Sequence, residues 1–355
     1  MQYVIVIDMK LYTILFIIFL TSYFGSAYAD QDLEEYVADF VLETRQLTIP
    51  DYPYAFNPSI VRWHGKLFMS FRDISNPNNT VCCSSSVESY IYMVELDDNF
   101  RLLGSPQNLR LGPRAEDARL VTVNDHLYII YSDNKDEAPG EGGYRVCVAE
   151  LQHEGESFYI IHNETLSHFE GESLYRREKN WVPFNYEGYL LLAYGLNPHK
   201  ILYPLLNGTG KCETYVSSIP SIVWEWGELR GGTPGLLVDN KFYLAFFHSS
   251  IQLATVQSGG KKISHYFMGA YTFSRDPLFE IERVSPEPII GNNFYNGIMY
   301  DPYWKPVRVV FPCGFIVDQD FLWVSYGRQD HEIWLAKLDK KGLLDSLIQV
   351  STIQP

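Results

Sequence analysis

One carboxylate and four basic side chains have the types needed to hold an anion beside a proton donor. They are Asp117 and Arg72, Arg119, Lys179 and, when protonated, His248. A carboxylic acid can protonate a leaving oxygen. Arginine's planar fork suits oxyanions, and lysine adds a point charge. Each residue alone has a plainer explanation, a salt bridge closing a strand end. Arg119, two residues beyond Asp117, could simply pair with a neighbour. As a converging set in an acidic chain, they are costly to hold without an anionic ligand.

Convergence requires elements that bring these distant positions together, and an internal repeat supplies them. One unit recurs five times: an apolar strand, a polar turn, and a second apolar strand ending in an aromatic. It reads NPSIVRWHGKLFMSFR, EDARLVTVNDHLYIIYS, KNWVPFNYEGYLLLAYG, GTPGLLVDNKFYLAFFHS and FPCGFIVDQDFLWVSYG. The turns are His64-Gly65, Asn124-Asp125, Glu187-Gly188, Asp239-Asn240 and Gln319-Asp320, all hairpin chemistry. The closing aromatics Phe71, Tyr131, Tyr194, Phe247 and Tyr326 recur at intervals of 53 to 79 residues. Each interval leaves room for two more strands, such as YIYMVELD, RVCVAELQ, FMGAYTF and EIWLAKLD. The pattern predicts an all-β fold, a five-bladed β-propeller, as a single domain over residues 30–355. A β-sandwich or a two-domain chain is the competing architecture.

In a hairpin the two open ends lie together, opposite the turn. The residues flanking each repeat should therefore meet at one mouth of the propeller's channel. These include Asn57, Arg72, Glu116, Asp117, Arg119, Ser132, Asp133, Lys179, Asn180, Thr233, His248, Cys313, Tyr326, Arg328 and Asp330.

Composition narrows the ligand. Hydrophobic residues make up 46% and charged residues 20% of 355 positions, which describes a globular chain. The formal net charge is −15, which argues against a nucleic-acid partner, since phosphate-backbone binders need a basic face. Aromatics reach 15%, which fits a β-rich core and also a carbohydrate-handling surface. No CxxC pair and no HExxH occurs, so no metal site is expected. No glycine-rich nucleotide fingerprint follows a strand, which weakens a sugar-nucleotide transferase.

The N-terminus reads as a secretory signal over residues 1–29. Lys10 precedes an apolar run from Leu11 to Phe24, followed by the small-x-small pattern Ala27-x-Ala29. Cleavage after Ala29 would leave Asp30 as the mature terminus; Met9 is an alternative start. The expected location is secreted or periplasmic, with no stable membrane insertion after cleavage. The five cysteines are Cys82, Cys83, Cys147, Cys212 and Cys313, an odd count that leaves one thiol free or paired between chains. Asn78, Asn163 and Asn207 lie in N-x-Ser/Thr sequons.

The motifs resemble glycoside hydrolase family 130, which comprises β-mannoside phosphorylases and β-1,2-mannosidases, and the related β-1,2-mannosyltransferases. FNPSIVRWHGKLFMSFR looks like the family's opening Asn-Pro hairpin, and AEDARL is similar to its Glu-Asp-Pro-Arg signature with Ala118 in place of proline. EKNWVPF, GGTPGLLVDNKFYLAFFH, YFMGAYTF and VVFPCGFIVDQDFLWVSYGRQD follow in the family's order, from about Ile49 to Leu338. The resemblance implies an inverting enzyme on oligosaccharide or glycan substrates. It implies Asp117 as the catalytic proton donor, with Arg72, Arg119, Lys179 and His248 binding phosphate. Asn57, Asn180, Thr233, Tyr326 and Asp330 would bind or shape the sugar site. No cofactor is implied beyond inorganic phosphate or mannose 1-phosphate as co-substrate.

Phosphate is already a nucleophile, so inverting transfer to it needs one acid and an anion cradle. Hydrolysis needs a second carboxylate to activate water. Glu225, Glu228, Asp133 and Glu178 are candidates that spacing does not separate. A non-catalytic carbohydrate- or protein-binding propeller, and a glycosidase acting on arabinan or fructan, are the competing functions.

Overall fold

The computed structural model describes residues 31–74, 88–134, 143–173, 177–299 and 306–352. The expected cleavage site, Cys82, Cys83 and the Asn78 sequon lie outside these residues.

The fold is all-β and propeller-like. Each repeat forms an antiparallel hairpin with the expected turn between its strands. The first pairs Phe56–Trp63 with Lys66–Ile74, and the second pairs Ala115–Val123 with His126–Asn134. The third pairs Val182–Tyr186 with Tyr189–Leu196, and the last pairs Val310–Asp318 with Phe321–Arg328. The turns carry the positive φ that tight hairpins demand: 49° at His64, 52° at Asn124, 50° at Glu187 and 53° at Gln319. In the fourth hairpin Val238 pairs with Phe242, so its loop is one residue longer than Asp239-Asn240 predicts.

Four hairpins extend into four-stranded sheets. The first adds Ser89–Leu96 and Gln107–Asn108, the second Tyr144–Glu154 and Ser157–Leu166, the third His199–Pro204 and Cys212–Ser218. The last adds Glu332–Asp339 and then Val41–Leu47, so the N-terminal strand is the outer edge of the C-terminal sheet. That pairing ties the chain's two ends together through backbone hydrogen bonds.

The expectation of five equal four-stranded blades is not met. The fourth hairpin, Leu236–Val238 with Phe242–Leu253, lies in a seven-stranded sheet that also takes in Ile263–Ser274, Ile281–Val284 and three two-residue strands. One of these, Val307–Arg308, pairs in parallel with Ile263–Ser274. A separate two-stranded sheet joins Pro220–Ser221 to Ser351–Thr352.

The core lies between neighbouring sheets. Phe68, Ile91 and Met93 of the first sheet pack on Leu120, Leu127 and Ile129 of the second. Ile60, Met69 and Phe71 pack on Ile316, Ile333 and Leu335 of the last. Covered on both faces, Phe56–Trp63 is buried almost throughout rather than at alternate positions, because its outward-facing side chains are also covered. Cys147, Cys212 and Cys313 are buried and form no disulfide among the described residues. No described helix is long and apolar enough to cross a membrane.

Candidate active site

The open ends of the inner hairpins do meet, and they are irregular. The strand register slips between Phe56 and Ser59, and again between Glu116 and Arg119. Within those slips Asn57 and Asp117 adopt left-handed φ values of 49° and 52°. Asn180, at 66°, and Asp330, at 54°, repeat the conformation on two further hairpins. Asn and Asp tolerate this region better than other residues with a side chain, and it breaks strand alternation. Consecutive side chains can then face the same way. Close approach helps: a Cβ on Gly327 would run into the Asn57 side chain, and one on Gly231 into the Asn180 carbonyl.

These ends surround a cavity of about 780 Å³. Asn57, Arg72, Asp117, Lys179, Asn180, His248 and Asp330 all line it. Asp117 is only 6% exposed. Its Oδ1 accepts from Asn57 Nδ2 at 2.7 Å, and Arg72 Nη1 stands 3.6 Å away. Burial pushes the Asp117 carboxyl up. Arg72, Lys179, the Asn57 hydrogen bond and Arg119 together outweigh it and hold the group below the usual carboxylate range.

Arg119 is placed differently from the expectation. It is 1% exposed and lies beneath the cavity rather than lining it. Its Nε donates to Gly232 O, its Nη1 to Asp117 O at 2.8 Å, and its Nη2 to Asn180 Oδ1 at 3.1 Å and Gly231 O at 3.4 Å. Four of its five N–H donors are thereby engaged within the protein, so a phosphate contact is a poor fit. It instead fastens the backbone of Asp117 to Asn180 and to the Gly231-Gly232 segment.

His248 lines the cavity but is not a cation. Its Nδ1 donates to Gly231 O at 3.0 Å, and its ring lies 4.5 Å from that of Phe311. Burial, with Arg119, Arg230 and Lys179, holds its pKa well below the ordinary histidine value. The neutral ring therefore offers Nε2 as an acceptor.

Two expected sugar contacts lie outside the cavity. Thr233 is fully buried; its hydroxyl accepts from Phe246 N and donates to Pro234 O, so it is spent on the backbone. Tyr326 sits in the core, 4.9 Å from Phe294. Strand alternation turns Tyr326 into the core, and the bend at Thr233 turns its hydroxyl onto the neighbouring backbone.

Among the candidate bases, Glu178 is 2% exposed, lines the cavity and accepts from the Tyr194 hydroxyl at 3.2 Å. Glu228 lines the rim, but it is exposed and paired to Arg230 at 2.7 Å. Glu225 and Asp133 are not part of the lining.

Several lining residues escaped the sequence reading. Tyr144 has the Lys179 ammonium 4.9 Å and the Arg177 guanidinium 5.4 Å from its ring centre. It belongs to the third strand of its sheet, outside the inner hairpins that the sequence repeat marks. The spacing of Arg177 and Lys179 on one extended segment was the available signal. Trp224, fixed by Nε1 donating to Ser249 Oγ at 2.9 Å, lies in an irregular segment with no repeat signature.

With this geometry in place, comparison with known proteins decides the family. A family model described as beta-1,4-mannooligosaccharide phosphorylase, that of glycoside hydrolase family 130, matches residues 31–349. The chain belongs to that family. Family 130 enzymes are glycoside phosphorylases and hydrolases that act on mannosides, and the chain is an enzyme of this class. No curated protein matches it.

Solved structures share the fold at low identity. A β-1,2-mannobiose phosphorylase from Listeria innocua, in complex with β-1,2-mannobiose, is 17% identical, with a TM-score of 0.54 over 84% of this chain and 94% of that one. A mannose phosphorylase from Leishmania mexicana, in complex with phosphate ion, is 13% identical, with a TM-score of 0.57 over 88% and 93%. A putative glycoside hydrolase from Parabacteroides distasonis is 13% identical, with a TM-score of 0.59 over 81% and 87%.

Proposed function

We propose that this family 130 enzyme is an inverting β-mannoside phosphorylase, or a mannosyltransferase that uses mannose 1-phosphate in the reverse direction. The observation that carries the reading is one acid, Asp117, held by Asn57 in the same cavity as Arg72 and Lys179. Asp117 protonates the glycosidic oxygen, relayed through a sugar hydroxyl as the family resemblance implies. A phosphate oxygen attacks C1 from the opposite face, the C1–O bond breaks, and a β-mannoside yields α-mannose 1-phosphate.

The depressed Asp117 pKa is an apparent obstacle, because an ionised carboxylate donates no proton. Phosphate bound by Arg72 and Lys179 answers it. The anion neutralises the cations that hold Asp117 down and so raises its pKa. Arg119 acts in this scheme by fixing the Asp117 backbone rather than by touching phosphate. Asn57, Asn180 and Asp330 orient the mannosyl residue.

The seven-stranded sheet is, in this reading, the fifth blade of a five-bladed propeller enlarged by short edge strands. Export through the N-terminal signal would place the enzyme outside the cytosol, acting on oligosaccharides or glycans there. The second reading is hydrolysis by a β-1,2-mannosidase, favoured by Glu178, the one proposed base that is both buried and part of the lining.

The deciding experiment is turnover of β-mannosides with and without inorganic phosphate. Mannose 1-phosphate forming only with phosphate supports the first reading. Free mannose at an unchanged rate without phosphate supports the second.

A further inference from the structure

The acidic neighbour of the proton donor, Glu116, has no part in the scheme above. The irregular strand start turns both Glu116 and Asp117 toward the cavity. One guanidinium serves them both. Arg72 Nη2 donates to Glu116 Oε1 at 2.9 Å, whereas Nη1 stays 3.6 Å from Asp117 Oδ1. The first is a hydrogen bond and the second is not. Arg72 also lies over the Phe56 ring at 5.0 Å, and its buried Nε has no acceptor. Glu116 is thus the side chain that fixes where the Arg72 fork points.

We propose that Glu116 is a positioning residue for the proton donor: it ties Arg72 just short of a hydrogen bond to Asp117. This rests on Asp117 being the acid. A bidentate Arg72–Asp117 pair would hold the carboxylate ionised and occupy both of its oxygens. In the observed arrangement Asp117 Oδ1 accepts from Asn57 at 2.7 Å while Arg72 stands off at 3.6 Å, and among the described residues no hydrogen bond reaches Oδ2.

The surrounding charges make the balance sensitive. Arg72, Lys179 and Arg119 face Asp117 from three strands or segments, and Asp330 and Tyr144 face the Glu116 end of the pair. His248 and Cys313 are also close enough to feel Asp117. Without the Glu116 tether the Arg72 fork is free to close the 3.6 Å gap to Asp117, which lowers the acid's pKa further. A general acid works only while protonated. Activity therefore falls as pH rises through its pKa, and a lower pKa moves that limb to lower pH.

The test is the pH profile of kcat/KM for a β-mannoside in wild type, Glu116→Gln, Glu116→Asp and Asp117→Asn. Glu116→Gln should move the basic limb down by about one pH unit, which is about a tenfold loss on that limb. The KM for phosphate should stay within about twofold, since the Arg72 charge is kept. Glu116→Asp keeps a carboxyl group for Arg72 but shortens the reach, so its limb should lie between the other two. If Glu116→Gln does not fold, Glu116→Asp alone carries the test, and an unmoved limb overturns the proposal. An unmoved limb with only a lowered melting temperature likewise reduces Glu116 to a structural strut. If Asp117→Asn retains turnover, the underlying reading fails instead, so the two failures are distinguishable.

Discussion

The two ends of the inner hairpins carry contrasting chemistry. At one end the strands enter through left-handed positions at Asn57, Asp117 and Asn180 and surround about 780 Å³ lined by charged groups. At the other they join through short turns and border about 530 Å³ lined mostly by apolar residues such as Ile60, Leu120, Leu236 and Phe315. The strands between are the same strands. Left-handed residues occur at both ends, but at the turn end they follow local hairpin rules, whereas at the polar mouth they break the strand register and gather charged side chains around one cavity.

The contrast breaks most decisively at Asp117. Asp117→Asn keeps the shape and can keep the Asn57 contact through the amide oxygen, but it loses the proton. Turnover should fall about a hundred- to ten-thousand-fold, the usual worth of general acid catalysis. Melting temperature should change little. Wild-type turnover in this variant would remove the polar end's claim to be catalytic.

Much of this was legible in the sequence. Five strand–turn–strand units announce themselves because apolar runs, turn chemistry and closing aromatics are all local signals. The mouth that gathers Asn57, Arg72, Asp117, Lys179, His248 and Asp330 followed from hairpin geometry alone. What was not legible depends on side-chain direction after an irregularity. A one-residue slip at Asp117 reverses alternation, which is why Arg119 lies under the cavity instead of in it. Thr233 lies in a bend and Tyr326 on the core face of its strand, and both side chains lie outside the cavity. The seven-stranded sheet escaped because strands as short as Arg230–Gly231 and Ile348–Gln349 carry no periodicity. Tyr144 reaches the site from a third strand, a tertiary fact that no repeat encodes.

Arg119 gives the next largest effect, and it separates two roles. Arg119→Lys keeps the charge but cannot reproduce a fork that serves Gly232 O, Asp117 O and Asn180 Oδ1 together. Leaving such buried acceptors unpaired costs about 1–3 kcal/mol each. Stability in chemical denaturation and turnover should therefore fall together, with the phosphate KM little changed. A raised phosphate KM with unchanged stability would return Arg119 to the role of ligand contact.

The smallest effect is expected at the turn end. Tyr243 lines the apolar mouth, donates its hydroxyl to Asn185 O at 2.7 Å, and stacks on Phe273 with ring centres 4.9 Å apart. Tyr243→Phe keeps the ring packing with Phe273 and Phe184 and deletes one hydrogen bond. The Asn185 carbonyl lies beside a cavity of about 530 Å³, wide enough for water to replace the lost donor. The loss should be about 1 kcal/mol, the net worth of an ordinary hydrogen bond. Turnover and its pH profile should not move, since no charged group of the polar mouth touches this ring. Melting temperature and turnover on one preparation decide the matter. A fall in turnover larger than the loss of folded protein would mean that the two ends communicate along the inner strands.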